Sequence, residues 1–384
     1  MTLSSERRYD LDWLRVLGVL LLIPFHVALI FVLQPYTIMY IRDVVNSPAL
    51  SVTTGFIHMW HMPMLFMISG SAMYFALRFR SAGQYVRERF LRLFIPLIFG
   101  LATYVPFTIY IQHSNNLSLR QGYLGFFRIN LSQLDGMSGA FTPAHLWFIL
   151  YLFVFSLVGL PIFIWLRSEK GKSAIKRLGT TMQSPLSLIL LGIPLTIAAA
   201  TGILGAMNPL YYFIIFFYGF VFASDMRFQQ SINKLTWAAL VYGIFEAVIN
   251  VTMPIEGFAE WTWQWMTLGL MYEMGRWSLT LATLGLGYRF LYRTSDFLRY
   301  ASEAAMPFYL LHMTLSVVTG YFVIQLNAPV TVKYPLSVLV ATGLTWITVE
   351  LVRHWPVSRW LFGMKPIKKE MPVESNTKLE RQSV

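Results

Sequence analysis

Long apolar runs separated by short polar and basic stretches make up the chain from residue 11 to residue 353. A helix of about 20 apolar residues is long enough to cross a bilayer. The pattern therefore predicts an all-α, polytopic integral membrane protein with ten transmembrane helices. Their approximate positions are residues 11–33, 55–77, 90–111, 144–166, 186–204, 208–223, 235–253, 263–291, 302–325 and 336–353.

The composition agrees with this class. Hydrophobic residues make up 56% of the chain and charged residues only 12%, whereas soluble domains carry about 25% charged residues. A soluble fold could not cover its surface with so few charges. The absence of cysteine excludes disulfides, iron–sulfur clusters and thiol catalysis.

The distribution of basic residues predicts the orientation in the membrane. Of the 30 Lys and Arg residues, 24 fall in the N-terminal segment, in alternate loops and in the tail. The intervening loops hold only Arg42, Arg120, Arg128 and Lys333. Because basic residues collect in cytoplasmic loops, both termini are expected in the cytoplasm. The net charge of +12 is then a topology signal whose partner is the lipid bilayer, not nucleic acid.

We expect one membrane domain over residues 1–364 and a disordered cytoplasmic tail over 365–384. The segment Gln112–Ala144 is long enough to form a partly structured lid on the outer side.

Ionisable residues inside spans are the candidate functional residues, because hydrocarbon makes them costly. Arg15 and His26 are eleven residues apart, so they lie about 20° apart around one helix and about 16 Å apart along it. The complete set is Arg15, His26, His58, His61, His145, Glu246, Glu273, Arg276 and His312.

The opening LDWLRVLGVLLLIPFH resembles the Arg-x10-His first helix of the acyltransferase 3 family, whose members are membrane enzymes that acylate exported carbohydrates. The resemblance extends to the second, third, fourth and ninth predicted helices. Their matching stretches are, in that order, HMWHMPMLFMISG, RERFLRLFIPLIFG, HLWFILYLF and SEAAMPFYLLHMTL. Within the family, the sequence of these motifs is most similar to the glucan biosynthesis protein C branch, which is associated with succinylation of periplasmic glucans.

The resemblance implies transfer of an acetyl or succinyl group from cytoplasmic acyl-CoA, a co-substrate, to a hydroxyl of an exported or periplasmic carbohydrate. It implies an inner-membrane location and no tightly bound cofactor. No metal is expected either, because no Cys or carboxylate is evidently placed to complete a site on the His58–His61 pair. His26 would be the general base, since an imidazole pKa lies near the working pH. The remaining assignments are catalysis by Arg15 and His61, CoA binding by Arg15, Arg89 and Arg92, and acceptor binding by His145, Trp147 and His312.

Simpler interpretations exist for the same residues. Arg15 could be a snorkelling anchor, and each histidine a helix contact. Glu273 and Arg276 could neutralise each other, while Glu246 has no partner that the sequence identifies. A secondary transporter of an anionic metabolite is the alternative function, although no internal repeat is visible. A flippase or a structural subunit in polysaccharide export also fits.

Overall fold

The structure, a computed structural model, describes residues 8–33, 41–114 and 142–366. Within these ranges all regular elements are helical, as predicted. The expected lid between Gln112 and Ala144 and the expected tail after Met364 fall almost entirely outside the described residues.

We number the α-helices in chain order. They are α1 Tyr9–Leu20, α2 Leu22–Ala28, α3 Pro48–Phe79, α4 Ala82–Arg89, α5 Ile95–Ala102, α6 Tyr104–Ser114, α7 Trp147–Val158, α8 Leu160–Leu166, α9 Glu169–Thr181, α10 Pro185–Leu190, α11 Gly192–Ala200, α12 Pro209–Ser224, α13 Met226–Thr252, α14 Trp263–Phe290, α15 Asp296–Val323, α16 Val330–His354 and α17 Pro356–Leu361. Short 3-10 turns at Leu29–Phe31, Ala144–Leu146, Gly205–Met207 and Ile255–Gly257 and a π-helical turn at Phe90–Phe94 complete the set.

Each of the ten predicted apolar runs coincides with one helix or with consecutive helices. In the described part of the chain, six helices are long and apolar enough to cross a membrane, and three bent pairs raise the number to as many as nine. Helix α14, with 28 residues, is long enough to cross a membrane. It is not among the six because it is less apolar than they are, and Glu273 and Arg276 contribute to this. The chain is therefore an all-helical multi-pass membrane protein, while the count of ten and the orientation of the termini stay predictions.

Helix ends follow local chemistry that hydropathy does not register. Helix α3 begins seven residues before the predicted position because the Ser47 side chain accepts from the Leu50 N–H and Pro48 occupies the first turn. The fourth predicted span bends by 55° between α7 and α8. Gly159 and Pro161 lie at that break, and proline cannot donate to the preceding turn.

Two segments differ from the sequence prediction. The basic segment after Arg167, left between the fourth and fifth predicted spans, contains helix α9, which turns by 117° into the following span. Lys333, assigned to an outer loop, lies in the first turn of α16 and is buried. Its ammonium group is 2.6 Å from the buried carboxylate of Asp43, so the cost of desolvating the charge is offset by an ion pair.

Two large hydrophobic cores and a small third cluster, made of Val16, Leu298 and Ala301, hold the described helices together. The first is built mainly from α3, α7, α8 and α12 to α14, and the second from α2, α5, α6, α15 and α16. Within the first core, α3 and α12 touch backbone to backbone at Gly70 and Gly219. A Cβ atom at Gly70 would lie 1.9 Å from the Phe216 carbonyl oxygen, and one at Gly219 would lie 2.0 Å from that of Met67. Small residues permit such close helix packing in membranes.

Candidate functional site

A cavity of about 300 Å³ lies where the two cores meet, and we call it the histidine cavity. Helix α2 and its 3-10 turn, α3, α15 and the segments around His145 and Leu204 all contribute to its wall. Leu204 and Ala206 are exposed, so the cavity borders the surface there. The lining residues are Leu22, Phe25, His26, Leu29, His58, His61, Met62, His145, Trp147, Leu204, Gly205, Ala206, Met207, Tyr309 and His312.

The hydrogen bonds of His26 and His312 fix which ring nitrogen carries the proton. Nδ1 of His26 lies 2.8 Å from the Leu22 carbonyl oxygen, and Nδ1 of His312 lies 2.6 Å from that of Tyr309. A carbonyl oxygen only accepts, so in the neutral rings Nδ1 donates and Nε2 carries the lone pair. The two ring centroids are 5.0 Å apart. The site therefore holds two neighbouring imidazoles, each with a basic Nε2.

His145 is attached to α15 by two hydrogen bonds. Its Nε2–H donates to the Leu310 carbonyl at 3.1 Å, and the Tyr309 hydroxyl donates to the His145 carbonyl. The ring is 5.4 Å from that of His312. Nδ1 of His145 and Nε2 of His312 are buried and have no hydrogen-bond partner among the described residues. Such acceptors are rare in folded proteins and are suited to hydroxyl groups of a ligand.

His61 joins α3 to α1 across the boundary between the cores. Its Nε2–H donates to the Gly18 carbonyl oxygen at 2.7 Å, which leaves Nδ1 as the lone-pair atom. The ring of His58 lies nearly parallel to that of Phe25, with centroids 6.4 Å apart. Among the described residues, no group of three His, Cys, Asp or Glu side chains is placed to hold a metal ion.

A second and larger cavity, of about 770 Å³, lies at the other end of the same helices, and we call it the basic cavity. Eight Arg and Lys residues and three acidic residues line it. Arg15 is among them and pairs with Asp12 at 2.9 Å. Arg89 and Arg92, from the region of α4, complete the set predicted to bind CoA phosphates. The structure thus brings all three arginines to one cavity.

The two cavities are stacked along shared helices. On α15, Met306 lines the basic cavity and Tyr309 the histidine cavity, a separation of about 4.5 Å along the axis. From Arg15 to Leu22 the rise is about 10 Å. Only a few side chains therefore separate a cationic chamber at one end of the bundle from a histidine-rich chamber nearer the other.

The other three candidate residues, Glu246, Glu273 and Arg276, lie close to one another. The Arg276 guanidinium donates to both Glu273 carboxylate oxygens, at 2.9 and 3.0 Å, and lies over the Tyr211 ring at 4.2 Å. The mutual neutralisation of Glu273 and Arg276 is thus confirmed. Glu246 packs against Gly275, where an added Cβ would meet its Oε2 at 2.7 Å. None of the three charged residues lines the histidine cavity.

Sequence reasoning missed two contributors to the site. Tyr309 is an ordinary aromatic residue of an apolar span, and only the fold shows its hydroxyl at the His145 carbonyl. The turn Gly205–Met207 lies in a short interhelical connection without distinctive chemistry. The positive φ of Ala144, 41°, marks a strained backbone next to His145, and the sequence gives no signal for it.

Comparison with known proteins adds to this geometry. Residues 8–350 match the family model Acyl_transf_3, described as an acyltransferase domain. The protein named Glucans biosynthesis protein C in Salmonella typhimurium strain LT2 is similar, and so is the protein of the same name in Salmonella typhi. Each is 23% identical over 387 residues, which cover 96% of this chain and 98% of the relative. No solved structure matches the chain.

Proposed function

The chain belongs to the acyltransferase 3 family and is an O-acyltransferase, and we propose that it moves an acyl group from cytoplasmic acyl-CoA to a hydroxyl of an exported or periplasmic carbohydrate. The name of the Salmonella relatives supports a glucan as the acceptor. The acyl group is acetyl or succinyl. In this proposal the protein lies in the inner membrane, crosses it about ten times and has both termini in the cytoplasm.

The observation that carries the proposal is the pairing of two cavities on the first membrane helix. Arg15 lines the basic cavity and His26 the histidine cavity, about 16 Å apart by helical rise. That distance is comparable to the reach of an extended pantetheine arm. CoA phosphates bound by Arg15, Arg89 and Arg92 would leave the thioester beside His26, since guanidinium groups suit phosphate geometry.

Nε2 of His26 is the general base in this mechanism. The Leu22 carbonyl holds Nδ1–H, so Nε2 is free to take the proton from the acceptor hydroxyl as its oxygen attacks the thioester carbonyl carbon. A C–O bond forms, the tetrahedral intermediate collapses and the C–S bond breaks. The imidazolium then returns the proton to the leaving thiolate, so CoA departs as the free thiol.

His61, His145, Trp147 and His312 shape the reaction site. The lone pairs of His145 Nδ1 and His312 Nε2 accept hydrogen bonds from hydroxyls of the carbohydrate, which orients the attacking oxygen. Trp147 forms an apolar wall, packed against Tyr212 with centroids 5.2 Å apart. His61, fixed to Gly18, keeps α3 beside α1 and presents its ring next to the thioester.

Transfer of label tests the function directly. Membranes with the wild-type chain are given acyl-CoA labelled in the acetyl or succinyl group, and label in extracytoplasmic glycan is measured. Transfer should fall about 10²- to 10⁴-fold in His26→Gln, because the base is lost. His354→Gln is the matched control, since His354 is an exposed histidine at the end of α16.

Two results would contradict the proposal. Equal transfer by wild type and His26→Gln, at matched membrane abundance, would show that His26 is not the base. An unmodified glycan together with movement of labelled metabolite across the membrane would favour the transporter.

A further inference from the structure

A third cavity, of about 520 Å³, lies beside the basic cavity. It is formed by α4 with its flanking residues and by residues 356–366, which follow α16. We call it the side cavity. It shares five lining residues with the basic cavity, which are Arg80, Glu88, Arg92, Met364 and Lys365. The two cavities are therefore adjacent chambers with a common border.

Helix α4 and the turn that follows it present a different face to each chamber. Gln84, Arg87 and Leu91 line only the side cavity, whereas Arg89 lines only the basic cavity. The spacing of three and four residues places the first three on one helix face. Glu88 stands at the border, with its carboxylate 2.6 Å from Arg80 Nε and 3.3 Å from Arg92 Nε.

The chemistry of the side cavity suits a phosphorylated purine nucleoside. Four basic residues, Arg80, Arg87, Arg92 and Lys365, line it against the single acidic residue Glu88. Trp360 lines the cavity and is 48% exposed, so part of its indole is accessible to a planar base. Purines stack on such aromatic surfaces, and Arg and Lys bind the accompanying phosphates.

We propose that the side cavity binds the 3′-phosphorylated adenosine end of acyl-CoA, with adenine on Trp360 and the 3′-phosphate near Arg87 and Lys365. The inference rests on the proposed function, because it adds a nucleotide subsite to the acyl-CoA site. The diphosphate lies at the border beside Arg92, within the set Arg15, Arg89 and Arg92 that holds the CoA phosphates, and the pantetheine arm extends from there toward His26. The two chambers thus divide the donor into a nucleotide part and a thioester part.

The test compares two donors that differ only in the nucleotide, acyl-CoA and acyl-4′-phosphopantetheine. In Trp360→Ala, KM for acyl-CoA should rise about tenfold, in line with the loss of one base-stacking contact. KM for acyl-4′-phosphopantetheine should not change. Trp360→Phe should restore most of the affinity. Trp355→Ala is the matched control, because Trp355 lies at the start of α17, is 68% exposed and lines neither chamber.

A variant of Arg87 tests the nucleotide subsite independently of Trp360. Arg87→Gln should raise KM for acyl-CoA about tenfold, as expected for loss of a charge-assisted hydrogen bond, and leave KM for acyl-dephospho-CoA unchanged.

The outcomes separate the two proposals. A wild-type chain that transfers acyl groups from neither donor overturns the proposed function and the subsite with it. A wild-type chain that uses acyl-CoA, but whose Trp360→Ala variant changes KM for both donors equally or for neither, overturns the nucleotide subsite alone.

Discussion

The imidazole rings of His26 and His312 lie 5.0 Å apart, and each donates from Nδ1 to a main-chain carbonyl of its own helix. Both rings therefore present Nε2 as the unprotonated atom. They differ in their surroundings, because Nε2 of His312 is buried without a partner among the described residues.

This difference predicts separable kinetic effects. His312→Gln should raise KM for the carbohydrate acceptor about tenfold, the size expected for one lost hydrogen bond, and leave KM for acyl-CoA unchanged. His26→Gln should lower kcat by about 10²-fold or more. Steady-state kinetics with each substrate varied in turn make the comparison. A loss of kcat without a change in KM for His312→Gln would assign proton transfer, not acceptor binding, to His312.

The glycine contact between α3 and α12 predicts a position-specific loss of stability. Gly70→Ala should lower the free energy of unfolding by about 3 kcal/mol, the upper end for overpacking, because its Cβ would meet a backbone oxygen. Gly55→Ala in the same helix has no atom within 4 Å of the added Cβ and should be neutral or stabilising by up to about 1 kcal/mol. Thermal unfolding in detergent compares them. Equal melting temperatures of the two variants would show that α3 and α12 can move apart to accommodate the added Cβ without a loss of stability.

The buried pair Lys333–Asp43 predicts strong coupling. Lys333→Met leaves the Asp43 carboxylate buried without its 2.6 Å partner and should cost about 3–5 kcal/mol. The double variant Lys333→Met with Asp43→Asn should recover most of this loss. Lys172→Met, which removes an exposed pair with Glu169, should change stability by less than about 0.5 kcal/mol. Additive losses in the double variant would contradict an energetically coupled pair.

Asp225 lies at the junction of α12 and α13, and its carboxylate should make the stability of the protein depend on pH. Hydrogen bonds from Arg227 lower the pKa of its carboxyl below the ordinary value of 3.8. The contribution to stability is therefore complete above about pH 4 and is lost as the pH falls through the lowered pKa. Asp225 also caps α13 by accepting from the Arg227 N–H at 2.9 Å.

Asp225→Ala should cost about 1 kcal/mol at pH 7, and the difference from wild type should shrink as the pH falls below 4. Unfolding followed at pH 7 and pH 3 provides the measurement. A difference that stays constant over this range would mean that the charge of Asp225 contributes nothing.

Hydropathy could predict the position of nearly every long helix, because a helix that crosses a bilayer needs about 20 predominantly apolar residues. It could not predict contacts between helices, which depend on which faces meet. His26, His61, His145 and His312 were predicted from separate motifs, and their common cavity arises from packing of α2, α3 and α15. Lys333 was misassigned because a sequence cannot show that Asp43, 290 positions away, neutralises it.

The helix in the basic segment after Arg167 was missed for a different reason. Helix α9 is amphipathic rather than apolar, so a search for apolar runs passes over it. Ile175 and Gly179 are buried four residues apart, a helical spacing that was available in the sequence.

The backbone contact at Gly70 and Gly219 bears on how a bulky carbohydrate enters. At these two glycines no side chain separates the main chains of α3 and α12, so we expect the two helices to move as one block that carries His58 and His61. The opposite wall belongs to the other core and meets α3 through rotatable side chains. We therefore expect the histidine cavity to widen mainly by displacement of α2 and α15, and a cross-link between α3 and α15 should then hold the entrance at one width.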